Sequence, residues 1–162
     1  MAPEEHGHNR GYSSPLPLGL TLRGRTAEVV RVGGRWVWPA DVERAVLAAC
    51  ALASPLPGRR GWALECCAFG VPDARTGEGI ACAVAVDADR APAAVHGGGW
   101  ANLVLAALAS APRGSAAWLP PAQRPRPGRV AAAAGGLPRL PGLGKVDRRG
   151  LRAACLAAER EQ

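Results

Sequence analysis

Glu28–Glu43 reads EVVRVGGRWVWPADVE, and the two changes of periodicity inside it decide the fold. EVVRV and RWVW each carry β-branched or aromatic residues in a short run. The Gly33–Gly34 pair between them supplies the turn of a tight hairpin. Pro39 follows at once and suits the first position of a helix, with Asp41 and Glu43 acidic in the first turn. Val42, Val46, Ala49 and Ala53 then fall on one face, so an amphipathic helix is expected from about Pro39 to Ala53.

Working outward, SPLPGRRG is rich in turn residues and leads into WALECCAFGV, a buried-strand pattern that stops at Pro72-Asp73. GIACAVAV repeats that pattern after the loop PDARTGEG, where Gly77 and Gly79 suit tight turning. ANLVLAALAS (101–110) is apolar nearly all round and is expected to be a short buried helix. PPAQRPRPGR reads as low-complexity, extended chain, and Val130–Ala134 as a short strand. The end, VDRRGLRAACLAAERE, predicts a helix with Leu151, Cys155 and Ala158 on one side and Asp147 capping its start. Residues 1–20 read as a flexible lead-in, 21–155 as the folded domain and 156–162 as a tail. The class is α+β: a small domain with an N-terminal β-hairpin, a short mixed sheet and flanking helices.

Composition narrows the function classes. The 162 residues are 48% hydrophobic and 4% aromatic, with 21 Gly and 15 Pro, so one compact domain is expected, its core built from Ala, Val, Leu and Trp. No apolar run approaches the roughly 20 residues of a membrane span. The net charge is +7, yet the arginines are scattered and not interleaved with aromatics, so no specific nucleic-acid partner is expected. Every basic residue except Lys145 is arginine. A position that stays lysine in such a chain points to a need for a compact ammonium that a planar guanidinium does not meet. The five cysteines form no C-x-x-C pair and read as free thiols, with Cys66 and Cys67 facing opposite sides of one strand. The N-terminus has early acids and no apolar core, which favours a cytoplasmic protein. HGGGW (His96–Trp100) has the look of an esterase oxyanion loop, but no G-x-S-x-G supplies a nucleophile. His6 and His8 alone do not make a metal site.

Three segments, in chain order, resemble the C-terminal domain of the acyl-adenylate-forming superfamily: acyl-CoA synthetases, nonribosomal-peptide adenylation domains and luciferase. GRTAEVVRVGGRWVWPADVE (Gly24–Glu43) is similar to the family's Gly-Arg, hinge and hairpin followed by G-x-x-V-x-P-x-E-V-E, with Gly34, Val37, Pro39, Asp41, Val42 and Glu43 in register. FGVPDARTGEGIACAVAV (Phe69–Val86) is similar to G-V-P-D-x-x-x-G-E plus a strand. LPRLPGLGKVDRRGLR (Leu137–Arg152) resembles the ending L-P-R-T-P-S-G-K-V-D-R-R-x-L.

The resemblance implies that Lys145 reaches into a cleft shared with a larger N-terminal domain and contacts the substrate carboxylate and the oxygens near the α-phosphate of ATP. An ammonium there offsets the repulsion of two anions that must meet. Gly142 and Gly144 let the backbone come close. Rotation about the hinge then withdraws the lysine and brings Gly33 and Gly34 to the pantetheine tunnel. Arg25 matches the arginine beside the hinge, while Ala27 stands where the family has Asp or Lys, and PGLGK is one residue longer than P-S-G-K. Asp73, Gly77 and Glu78 read as turn and scaffold residues. ATP, with Mg held by the N-terminal domain, and CoA are the implied cofactors. The implied partner is an N-terminal adenylation domain in cis or trans, without which this domain is not expected to catalyse. Two alternatives stay open: a fatty-acyl-AMP ligase domain serving an acyl carrier protein, and a catalytically silent binding module.

Overall fold

The computed structural model describes residues 28–53, 62–87, 89 and 99–160. Arg25, Ala27, the 1–20 lead-in with His6 and His8, and the first three residues of HGGGW lie outside the described residues.

Strands β1 (Val30–Val32) and β2 (Arg35–Val37) form the expected hairpin. Gly33 and Gly34 both adopt positive φ, +55° and +79°, the pair of left-handed residues that matches the turn to the strand twist. Helix α1 (Pro39–Leu52) starts on Pro39, with Val42, Val46 and Ala49 fully buried. Strands β3 (Ala63–Asp73) and β4 (Gly77–Val86) pair along their whole length. Their turn is closed by Asp73, whose Oδ1 accepts the main-chain N–H groups of Arg75 and Thr76 at 3.1 Å each. Gly77 supplies a positive φ there, whereas Gly79 lies inside β4 and has no such role. Its lack of a side chain serves packing: a Cβ at Gly79 would lie 2.6 Å from an Arg129 guanidinium nitrogen.

The sheet is mixed. The far edge of β4 is shared: β1 takes its start, at Val32 opposite Gly77, and β5 (Val130–Ala134) runs parallel along its end, from Cys82 to Val86. Strand order is β2-β1-β4-β3 with β5 on β4. Helices α1 and α2 (Trp100–Ser110) cover one face, where Cys66, Ala68, Ile80, Cys82 and Val84 point. Helix α3 (Arg148–Arg160) covers the other, over Cys67, Phe69, Val71 and Ala81. The adjacent cysteines thus do face opposite sides.

Two expectations are corrected. Helix α2 is buried along one stripe only, at Trp100, Val104 and Leu108, and Leu103 is exposed. The proline-rich segment is not featureless: it follows the buried Ala117 and Leu119, Pro121–Gln123 make a 3₁₀ turn, and Arg124 Nε donates to the Leu119 carbonyl at 2.9 Å. Arg126 and Arg129 then both reach the buried Asp73 carboxylate. Its proline spacing could not show the two arginine contacts, because Asp73 lies more than 50 residues earlier in the chain.

Candidate functional site

Lys145 is the last residue of a loop that starts at Leu140 and is closed on itself. Arg139 and Val146 form an isolated antiparallel bridge, the Leu140 N–H donates to the Lys145 carbonyl at 2.8 Å, and the Asp147 N–H donates to the Pro138 carbonyl at 2.7 Å. Gly142 and Gly144 turn the loop at φ +72° and +63°, where a side chain would be strained. Directly after the loop, Asp147 Oδ1 accepts the Gly150 N–H at 2.9 Å and caps α3, as the sequence predicts.

The lysine is exposed, and its ammonium has no ion-pair partner among the described residues. It stands on the wall of an open cleft of about 570 Å³. The same cleft is lined by Glu28–Val30, the chain that enters β1, and by Phe69 and Gly70. Gly70 is required by close approach: a Cβ there would lie 2.9 Å from Val30 Cγ1. Glu78, on the same cleft, accepts the Arg31 main-chain N–H at 2.8 Å, so it fixes β1 and serves as scaffold. Arg149 and Arg152 on α3 add positive charge to the cleft, whose lining also includes Glu28, Glu78 and Asp147. The cleft can therefore receive an anion beside a free ammonium.

Arg148 is the residue that sequence reasoning missed. Its guanidinium bonds Glu28 at 3.0 Å and Glu43 at 2.8 Å, joining the first described residue to α1 and α3. Glu43 also accepts the main-chain N–H of Ala68 at 2.9 Å. Ala68 is fully buried on β3, an edge strand, so this N–H needs a partner from outside the sheet. Glu43 is thus more than a first-turn acid, while Asp41 pairs with Arg44 on the surface. Burial pushes the nearby Cys67 thiol up to about 11 although the Arg148 guanidinium opposes it. The only hint in the sequence was the arginine pair in KVDRR, which cannot announce partners 105 residues away.

Gly33 and Gly34 are not at this cleft. They form the exposed tip of the hairpin, at the other end of β1 and so about 10 Å along the strand from Val30. The Gly33 N–H donates to the Thr76 carbonyl at 3.0 Å, which docks the tip on the β3–β4 turn. The structure brings Lys145 together with the entry to β1 and keeps the glycine tip separate. No helix among the described residues is long and apolar enough to cross a membrane, and no group of three His, Cys, Asp or Glu among them is arranged to hold a metal ion.

No family model and no curated protein matches the chain, but solved structures do. Apo MatB from Rhodopseudomonas palustris is similar over 82% of this chain and 20% of its own, at 26% identity and a TM-score of 0.57. The anthranilate CoA ligase AuaEII, solved with anthranoyl-AMP, is similar over 85% of this chain and 22% of its own, at 22% identity and 0.58. A Mycobacterium tuberculosis fatty acyl CoA synthetase is similar over 84% and 21%, at 23% and 0.55. The last two bear on fold alone. The chain spans about a fifth of the length of these enzymes, and its resemblance to the C-terminal domain of the acyl-adenylate-forming superfamily extends from motif to structure.

Proposed function

We propose that this chain is the C-terminal, lid-like domain of an ATP-dependent acid:CoA ligase-type enzyme, working with an N-terminal ATP-binding domain in the same polypeptide or another. In the first half-reaction a carboxylate oxygen attacks the α-phosphorus of ATP, pyrophosphate leaves and an acyl-adenylate forms. Lys145 supplies an ammonium between the two anions, where it lowers their repulsion and holds the attack in line. In the second, a thiol gives up its proton and its sulfur attacks the acyl carbon, expelling AMP. Gly33 and Gly34 offer bare backbone to the pantetheine arm of CoA, and Arg25 is, by its match to the family motif, the arginine next in sequence to the hinge about which the domain turns between the two steps. The five free thiols suit a reducing cytoplasm.

The observation that carries this reading is the placement of Lys145: exposed, at the end of a closed turn, and lining the same cleft as Glu28–Val30, the chain that enters β1. Separation of this cleft from the hairpin tip supports a two-position mechanism, since one docking surface would not present both to the same adenylate. The test is to titrate the chain into an ATP-binding domain from the same source and follow acid-dependent ATP–pyrophosphate exchange. Exchange is expected to rise with the wild-type chain and to stay at background with Lys145→Ala. Equal exchange with both would leave a silent binding module as the better account.

A further inference from the structure

The Lys145 turn contains two left-handed glycines within three residues, Gly142 and Gly144, and glycine gives a chain its greatest freedom. Two such residues next to a catalytic amine would let its backbone wander unless something outside the turn held it. Arg139 is placed to do so. Its Nη1 donates to the Gly144 carbonyl at 2.6 Å, and its Nη2 donates to Glu65 Oε2 on β3 at 2.9 Å. The Gly144 carbonyl belongs to the peptide group whose nitrogen is Lys145's own, so fixing that oxygen fixes the plane from which the lysine side chain departs.

We propose that Arg139 is a positioning residue for Lys145, tying the glycine turn to the sheet through Glu65 so that the ammonium keeps one direction. The inference rests on the ligase reading for the purpose of the ammonium, but the mechanical tie stands on this chain alone. The planar fork of a guanidinium reaches two acceptors at once, which a single ammonium cannot reproduce in the same geometry. The pair is too exposed to be a pillar of stability: the Arg139 side chain is 50% and the Glu65 side chain 34% accessible, and exposed ion pairs contribute little to folding. A merely structural role and a positioning role therefore make different predictions.

Amide exchange of Leu140 and Asp147, whose N–H groups close the turn, is measured with the melting temperature in wild type, Arg139→Lys, Arg139→Ala and Glu65→Gln. Arg139→Ala is expected to speed exchange about tenfold at both amides while the melting temperature moves by no more than about 3 °C. Arg139→Lys should be intermediate. Glu65→Gln should loosen the turn less, and should add nothing to Arg139→Ala, because Glu65 acts through the arginine. With the ATP-binding domain supplied, Arg139→Ala is expected to lower kcat for adenylation about tenfold with KM for ATP nearly unchanged. Unchanged exchange in Arg139→Ala, or exchange that rises only in step with a falling melting temperature, overturns the positioning role. Full adenylation by Lys145→Ala in the same assay would instead overturn the ligase reading, leaving the tie itself intact.

Discussion

The hairpin tip at Gly33–Gly34 and the turn at Gly142–Lys145 are both exposed, both bent by paired left-handed glycines, and held in different ways. The tip is the end of two paired strands, and its Gly33 N–H is docked on Thr76. It needs no side chain to stay in place, and it presents none. The lysine turn has a single bridge behind it, rests on the capped start of α3, and is steadied by the Arg139 side chain. What it presents is a charge on a flexible stem. A surface built from backbone is suited to line a narrow passage, whereas a surface built around one ammonium is suited to meet anions. The two regions also lie at opposite ends of β1, so a single domain can offer one or the other by turning.

Breaking one region without the other sharpens that contrast. Gly34→Val places a β-branched residue at φ +79° and puts bulk at the tip. Thioester formation is expected to fall about a hundredfold while ATP–pyrophosphate exchange stays within about threefold of wild type, as read in separate half-reaction assays. Equal loss in both would mean that the tip and the turn are not independent.

Glu43→Ala acts on the frame that holds the regions apart. It strips the buried Ala68 N–H of its acceptor and removes one of the two carboxylates that pair with Arg148. A loss of about 2 kcal/mol is expected, seen as a lower urea midpoint at constant slope. Glu43→Gln, which keeps an acceptor, should recover most of it.

A smaller effect concerns the β3–β4 turn on which the hairpin tip rests. Burial raises the Asp73 carboxyl, but bonds from Thr76 and Arg75 and the Arg126 guanidinium outweigh it and hold the group below its ordinary value of 3.8. A carboxyl depressed in the folded state contributes stability that is complete above its unfolded value and is lost as pH falls through its folded value. The chain should therefore lose stability below about pH 4, and Asp73→Asn should flatten that part of the profile in thermal melts.

Much of the fold was legible because it is local. The glycine pair announced the hairpin, Pro39 the start of α1, the continuous apolar runs β3 and β4, and Asp147 the cap of α3. Lys145 stood out as the one lysine among arginines. What could not be read were the features made by distant residues. The bridge from Glu28 through Arg148 to Glu43 joins both ends of the described chain. Arg126 and Arg129 converge on Asp73 from a segment that read as low-complexity, extended chain. Gly79 looked like a turn residue, and its close packing against Arg129 and Asp73 gives it a different role. Side-chain reach across a sheet leaves no trace in periodicity.

The central claim is that one exposed amine serves only the first of two reactions. Its most direct test is the ratio of the two half-reaction rates for Lys145→Ala, with acyl-adenylate supplied ready-made for the second. The account predicts a loss of at least about a hundredfold in adenylate formation and near-normal conversion of the supplied adenylate to thioester. Parallel loss in both steps, or none in the first, would contradict it.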